Sequence, residues 1–313
     1  MDKQLWTHLR YWQSSSEHVS HRALLLSLLR EPSPCPDVAE LRRRARERGF
    51  PWPAPSAADP LWRQACLEAR QLREAGVHAL TPADANYPSC FWRSSDPPLT
   101  LSVRGSLEVF HRPALSVVGS REPSVDSLQW LERELAVFCR NTGAVIASGG
   151  ARGIDQKAHS VALRSSSPTL VFLPSGILRP YPADLEKWWP AVRDGGGALV
   201  SEYPPFMPMR KPHFHQRNRL IAAAGCAVLI IEARQRSGTL ITAARAAEIG
   251  RPLLVLPGHP LDSRFSGSLQ LLFDGATLLR DGEDLTILWQ SEEERSLSKT
   301  LAIEDDNGSF PEM

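Results

Sequence analysis

The 313 residues carry 36 Lys and Arg against 35 Asp and Glu, a net charge of +1, with 42% hydrophobic and 23% charged residues. That is the make-up of an ordinary soluble globular chain, long enough for one large α/β domain and a smaller one. It excludes a polyanion binder that relies on bulk charge, so any such affinity must come from a local cluster. Nothing resembles a secretory leader after Met1-Asp2-Lys3-Gln4, and no stretch of roughly 18 apolar residues occurs, so a cytoplasmic protein without a membrane span is expected. The five cysteines, Cys35, Cys66, Cys90, Cys139 and Cys226, lack CxxC spacing, which implies neither a disulfide framework nor a zinc site; they are expected reduced and mostly packed.

From Gln4 to Glu31, Leu5, Leu9, Trp12, Val19, Ala23, Leu26 and Leu29 recur at three- and four-residue spacing, which predicts two short amphipathic helices broken near Ser14-Ser15-Ser16 and stopped by Pro32, Pro34 and Pro36. A third helix is expected from the N-cap Asp37 to Arg48, and a fourth from Pro60 to Glu74 after the prolines at 51, 53 and 55. These predict a small helical domain over residues 1–80. Arg42, Arg43, Arg44, Arg46 and Arg48 invite a nucleic-acid reading, but with Glu40 and Glu47 among them a solvated helix face is favoured. Five of the nine tryptophans precede residue 105 and read as core or interface anchors rather than a stacking row.

Strands are expected at Val77–Leu80, Leu99–Val103, Leu115–Val118, Ala144–Ala147, Leu170–Leu173, Ala198–Ser201, Ala227–Glu232 and Leu253–Leu256, with a short edge strand at Ala276–Leu279. Helices fall between them at Ser124–Asn141, Ile154–Arg164, Asp184–Asp194, Gln216–Ala223 and Thr239–Ile249. This alternation predicts an extended doubly wound, Rossmann-like parallel sheet over residues 81–288. Residues 289–313 read as an acidic, polar tail that is disordered after about Ser291.

Such a sheet places its βα turns together, and these turns are rich in glycine and hydroxyls: Gly119 and Ser120; Ser148, Gly149, Gly150 and Gly153; Gly176; Ser237, Gly238, Thr239 and Thr242. Turn amides and helix N-termini suit phosphate oxygens. Arg121 on the first turn and Arg152 on the second supply charge. The run from Arg210 to Arg219, with Lys211, Phe214, Arg217, Asn218 and Arg219, interleaves cations with aromatic rings fit for base stacking, and Arg234 and Arg236 extend the rim. Each turn by itself is more often tight packing than a phosphate site. Asp155 and His159, four apart on one helix face, are expected to form a structural hydrogen-bonded pair. Asn218 is expected to bond nearby backbone, and Glu202 and Glu232 to pair with arginines.

The first turn lacks GxGxxG, and no GxxxxGK[ST], HExxH or GxSxG with ordered triad partners occurs. Dinucleotide binding, ATP hydrolysis and triad hydrolysis are therefore not expected, and no cofactor, metal or catalytic residue is assigned.

The motifs, taken in order, carry a resemblance. Val118-Gly119-Ser120-Arg121, Ser148 to Asp155 with Ala158-His159, Ser201-Glu202, Phe214 with Arg217-Asn218-Arg219, Glu232-Ala233, Ser237 to Ala243, Pro257-Gly258 and Gly275-Ala276 resemble the bacterial DNA-processing protein A (DprA/Smf) family. Asp84 to Pro88 and Pro97-Pro98-Leu99 resemble its lead-in segment, so the likeness covers roughly residues 82 to 280. Departures are Pro174 where the family shows glycine, His215 for proline, and Leu269 where a Gly-x-Asn would stand. The resemblance implies a non-enzymatic single-stranded DNA-binding protein that shields incoming strands in natural transformation and helps load the RecA recombinase. It also implies a homodimer through the Rossmann-like domain; many family members append a winged-helix domain, for which the tail here is expected to be too short. Arg121, Arg152, Arg217 and Arg219 would then grip successive phosphates, with Lys211 and Phe214 at the edge. The alternative is a nucleotide-processing enzyme or a nucleotide sensor, because Ser237-Gly238-Thr239 with Glu248 faintly matches the signature of phosphoribohydrolases on the same kind of sheet.

Overall fold

The computed structural model describes residues 3–14, 18–30, 38–49, 52 and 55–293. Cys35, Asp37, the prolines at 32, 34 and 36, and the tail beyond residue 293 lie outside the described residues.

Four helices open the chain: α1 (Lys3–Ser14), α2 (His18–Arg30), α3 (Val38–Glu47) and α4 (Pro60–Glu74). The start of α4 follows local chemistry, since Asp59 accepts a hydrogen bond from the Leu61 amide at 2.8 Å and Pro60 takes a position that needs no donor. The α3 arginines behave as a solvated face: Arg43 binds Glu40 and Glu47, and Arg44 binds Glu40. Leu5, Leu9, Trp12, Leu28 and Leu41 form the helical core, which Leu99 joins from beyond the predicted boundary. Trp6 and Leu72 pack with Val171, Leu173 and Leu185, so the apolar interior is continuous across residue 80.

β1 (His78–Leu80), β2 (Leu101–Gly105), β3 (Ala114–Gly119), β4 (Val145–Ser148), β5 (Thr169–Phe172), β6 (Ala198–Ser201), β7 (Ala227–Ile231), β8 (Leu253–Val255) and β9 (Thr277–Leu278) form one sheet in the order β1-β2-β6-β5-β4-β3-β7-β8-β9. From β6 to β9 all pairs are parallel, and β1 and β2 add an antiparallel edge. This is the expected doubly wound, Rossmann-like sheet. β3 shows why both faces are covered: Ala114 and Val118 point into one apolar layer, Leu115 and Val117 into the other.

α5 (Val125–Trp130), a π-helical turn (Leu131–Leu135) and α6 (Ala136–Thr142) form one continuous helix, followed by α7 (Ile154–Arg164), α8 (Leu185–Asp194), α9 (Lys211–Ala224), α10 (Gly238–Glu248) and α11 (Ser266–Phe273). Two elements differ from the sequence reading. α9 begins five residues earlier than expected, because Pro212 sits in its first turn, where the missing N–H costs nothing. Residues 282–293, for which no helix was expected and whose last five were assigned to the acidic tail, form a helix whose Leu285 and Trp289 are buried with Phe138. Of the described cysteines Cys139 is buried, Cys90 and Cys226 are half-buried and Cys66 is exposed, so most of these thiols are at least partly packed.

Candidate nucleic-acid interface

β3 has β4 on one side and β7 on the other, and the strand order runs outward in opposite directions from this pair. At such a switch point the connections diverge and leave a crevice beyond the strand C-termini. A crevice of about 520 Å³ lies there, between the first turn (Gly119 to Glu122), the start of α9 and the start of α10.

The first turn is held from behind. Glu232, fully buried and in the left-handed backbone region at φ 60°, accepts from the Ser124 amide at 2.8 Å, the Ser124 hydroxyl at 2.7 Å and the Ser127 hydroxyl at 2.8 Å. It therefore pairs with the serines that begin α5 and not with an arginine. Thr239 donates to the Gly119 carbonyl at 3.1 Å, tying α10 to β3, and Asn218 donates to the Gly238 carbonyl at 3.2 Å, tying α9 to α10. Arg121 is left exposed on this fixed turn with its guanidinium 4.8 Å from the centre of the Phe214 ring, a cation–π contact.

Because α9 starts at Lys211, its helical spacing puts Lys211, Phe214 and Asn218 on the crevice side. His215 and Arg234 also line it, and Glu122 brings the only exposed carboxylate among the described lining residues. Among the described residues, neither α9 nor α10 has a side-chain N-cap bond, and the Ser237 hydroxyl at the head of α10 has no hydrogen-bond partner. These helix ends, with Lys211 and Arg121 beside them, make the crevice mouth suited to an anion.

The second turn, Ser148 to Gly153, is different, and here the sequence reading is corrected. Ser148 spends its hydroxyl on the Val117 carbonyl at 2.6 Å, and the Ala151 amide points at the Asp155 carboxylate at 3.4 Å. The protein's own carboxylate thus occupies the place expected for a phosphate. A Cβ on Gly149 would collide with the Arg217 guanidinium, one on Gly150 would press on Leu185 and Val171, and one on Gly153, at φ 87°, would collide with the Ser120 carbonyl. These glycines serve close packing inside the protein. Arg152 is exposed but does not line the crevice.

Arg217 is only 3% exposed; it lies beneath Gly149 and donates to the Phe172 carbonyl. Burial pulls it down to about 10, opposed by the Asp155 charge, and burial likewise raises Asp155 against the pull of Arg217. Arg219 lies on another side of α9, bound to Glu202 at 2.6 Å and Asp96 at 3.3 Å. The four arginines expected along one trough therefore divide: Arg121 reaches the crevice, Arg152 stands outside it, Arg217 braces its floor and Arg219 is held by carboxylates. The His159 expectation also changes. Thr169 donates its hydroxyl proton to the Ile146 carbonyl, so the 2.6 Å contact to His159 Nδ1 requires the imidazole to donate there, and Asp155 is not its partner. Burial pushes His159 down to about 3, leaving it neutral.

Of the departures, the Pro174 carbonyl lies 3.1 Å from His213 Nδ1, which helps seat α9, and Leu269 lies within α11. One contact gave no sequence signal: Tyr181, more than thirty positions before Phe214, meets its ring edge-on with centroids 5.9 Å apart. Among the described residues, no helix is long and apolar enough to cross a membrane.

Residues 78–290 match the family model for DNA recombination-mediator protein A. The chain is 36% identical over 212 residues to Protein Smf of Escherichia coli, covering 66% of this chain and 56% of that one, so it spans little more than half of that relative. A crystal structure of DNA processing protein A from Streptococcus pneumoniae superposes with a TM-score of 0.66 at 26% identity, over 87% of this chain and 98% of that one. The structure of DNA processing protein A from Helicobacter pylori, described for its unique single-stranded DNA binding mode, gives 0.61 at 29% identity, over 69% and 96%. With this match over more than half of its length, the chain belongs to the DNA recombination-mediator protein A family.

Proposed function

We propose that this chain binds single-stranded DNA in the crevice between β3 and β7 and performs no chemistry on it. The observation that carries this reading is the grouping of exposed Arg121 over the Phe214 ring, with Lys211 at the start of α9 and the unpartnered Ser237 hydroxyl at the start of α10. Cations and helix ends address phosphates, the ring offers a face to any base, and sequence preference is accordingly weak. The Helicobacter pylori relative, described as a single-stranded DNA binder, supports the same class of ligand. Gly119, Ser120, Gly238 and Thr239 shape the site, while Ser148, Gly149, Gly150, Gly153, Arg217 and Asn218 support it from within.

In the cell this activity shields incoming strands during natural transformation and helps load RecA on them, in the cytoplasm and from a homodimer. The β9 edge supports pairing of two copies, since Leu278 on it and Phe273 at the end of the preceding α11 are exposed. The phosphoribohydrolase reading loses support because Glu248 pairs with Arg245 at 2.8 Å at the far end of α10, outside the crevice.

Fluorescence anisotropy with labelled oligo-dT tests the proposal. Lys211→Ala and Arg121→Ala should each weaken binding by about 1–3 kcal/mol, as lost charge-assisted contacts do. Unchanged affinity in both folded variants removes the crevice as the site, and base release from nucleoside monophosphates would favour the enzyme.

A further inference from the structure

The geometry points to a second base-stacking site beside the crevice, formed by Tyr181 and flanked by Arg179 and Arg210, where the strand continues after leaving Phe214. This rests on the single-stranded DNA reading of the crevice and extends it to Arg179, Tyr181 and Arg210, which do not line it.

Two loops carry this surface, one following β5 and one following β6, and they are locked side by side. The Gly176 amide donates to the Met207 carbonyl at 2.9 Å, and the Leu178 amide to the Pro205 carbonyl at 2.8 Å. Any Cβ at Gly176 would collide with the Pro204 and Pro205 carbonyls, so the approach requires glycine. The pair is fixed to α9 as well: the Tyr203 hydroxyl donates to the His213 carbonyl at 3.1 Å, and the two rings stack with centroids 4.3 Å apart. The loops are thus a rigid shelf continuous with the helix that carries Lys211 and Phe214.

The outer side of that shelf has an unusual composition for a solvent-facing surface. Tyr181 is 40% exposed and Phe206 51% exposed, and Arg179, Arg210 and Lys211 are all exposed. None of these three cations is bonded to a carboxylate among the described residues. Asp184 bonds Gln156 and Glu186 bonds Arg104, while exposed Glu122 lines the crevice with Lys211. Tyr181 meets Phe214 edge-on at 84°, which leaves the faces of the two rings turned to different directions. A base on Phe214 and a following base on Tyr181 would therefore be splayed, with the backbone between them passing the exposed cations. Exposed aromatics alternating with unpaired cations is the arrangement that binds single strands through stacking and phosphate charge together.

The test compares labelled oligo-dT of about 5 and about 20 nucleotides, lengths chosen to fill the crevice alone or to run beyond it. Tyr181→Ala should weaken the long strand by about tenfold and the short one by much less, and Tyr181→Phe should restore the long-strand affinity. Arg179→Gln combined with Arg210→Gln, both on exposed side chains that cannot unfold the chain, should lower the salt slope for the long strand by about 1.4. If both sets of variants bind the long strand as the wild type does while Lys211→Ala loses both strands, this second site is wrong and the crevice stands. If the wild type binds neither strand, the crevice reading and this extension fall together.

Discussion

The turns after β3 and β4 look interchangeable in sequence, each with glycine, serine and an arginine, and the folded chain uses them in opposite ways. After β4 the amide donors face Asp155 and the space above Gly149 is filled by Arg217, so the turn is satisfied from within. After β3 the buried carboxylate, Glu232, binds the serines behind the turn, and the side toward the crevice is left to Arg121, Ser120 and the open ends of α9 and α10. A glycine-rich turn binds an outside anion only when the protein has not already supplied one. The deciding residues, Asp155 and Glu232, lie outside both turns.

That contrast is broken most severely at Arg217. Arg217→Ala leaves Asp155 buried without its compensating charge and opens a void under Gly149, so urea unfolding should show a loss of about 3–5 kcal/mol. Gly153→Ala comes next: it places a Cβ against the Ser120 carbonyl at φ 87°, which should cost on the order of 2 kcal/mol and loosen both turns together. At the open turn the ranking between stability and binding reverses. Arg121→Ala should leave unfolding within about 0.5 kcal/mol of wild type, as exposed substitutions do, while weakening oligo-dT.

A pH series sharpens the closed side. His159 has its ordinary value near 6.5 in the unfolded chain and about 3 when buried, so the unfolded state takes up the proton first. Above pH 6.5 the residue contributes no pH dependence, and as pH falls below that value stability should decline by up to about 1.4 kcal/mol per unit. His159→Gln should flatten that part of the profile. The smallest effect is expected at Arg152→Ala, whose side chain does not line the crevice and holds no partner among the described residues, and anisotropy should place it well below Arg121→Ala.

Much of this was readable from the sequence. Apolar runs such as Leu115 to Val118 and Ala227 to Ile231 define buried parallel strands, because a strand covered on both faces needs no alternation. Elements with weaker patterns were missed. Residues 282–293 are rich in acid, and only Leu285, Leu288 and Trp289 at helical spacing reveal that they pack. The start of α9 was hidden by Pro212, a helix breaker anywhere but the first turn. That one boundary decides which residues of the Lys211 to Arg219 stretch share a face, and so why Phe214 and Lys211 meet the crevice while Arg219 meets Glu202 and Asp96. The interior fate of Arg217 depends on Gly149 and Asp155, more than sixty positions away, a contact that no local pattern encodes.

The most direct test of an open first turn and a closed second is the slope of log affinity for oligo-dT against log salt concentration, compared between Arg121→Ala and Arg217→Lys. A lost phosphate contact should reduce the slope by about 0.7 in Arg121→Ala, with the wild-type slope kept in Arg217→Lys even if its affinity drops. A reduced slope in Arg217→Lys together with an unchanged one in Arg121→Ala would place the phosphates on the second turn and contradict the assignment made here.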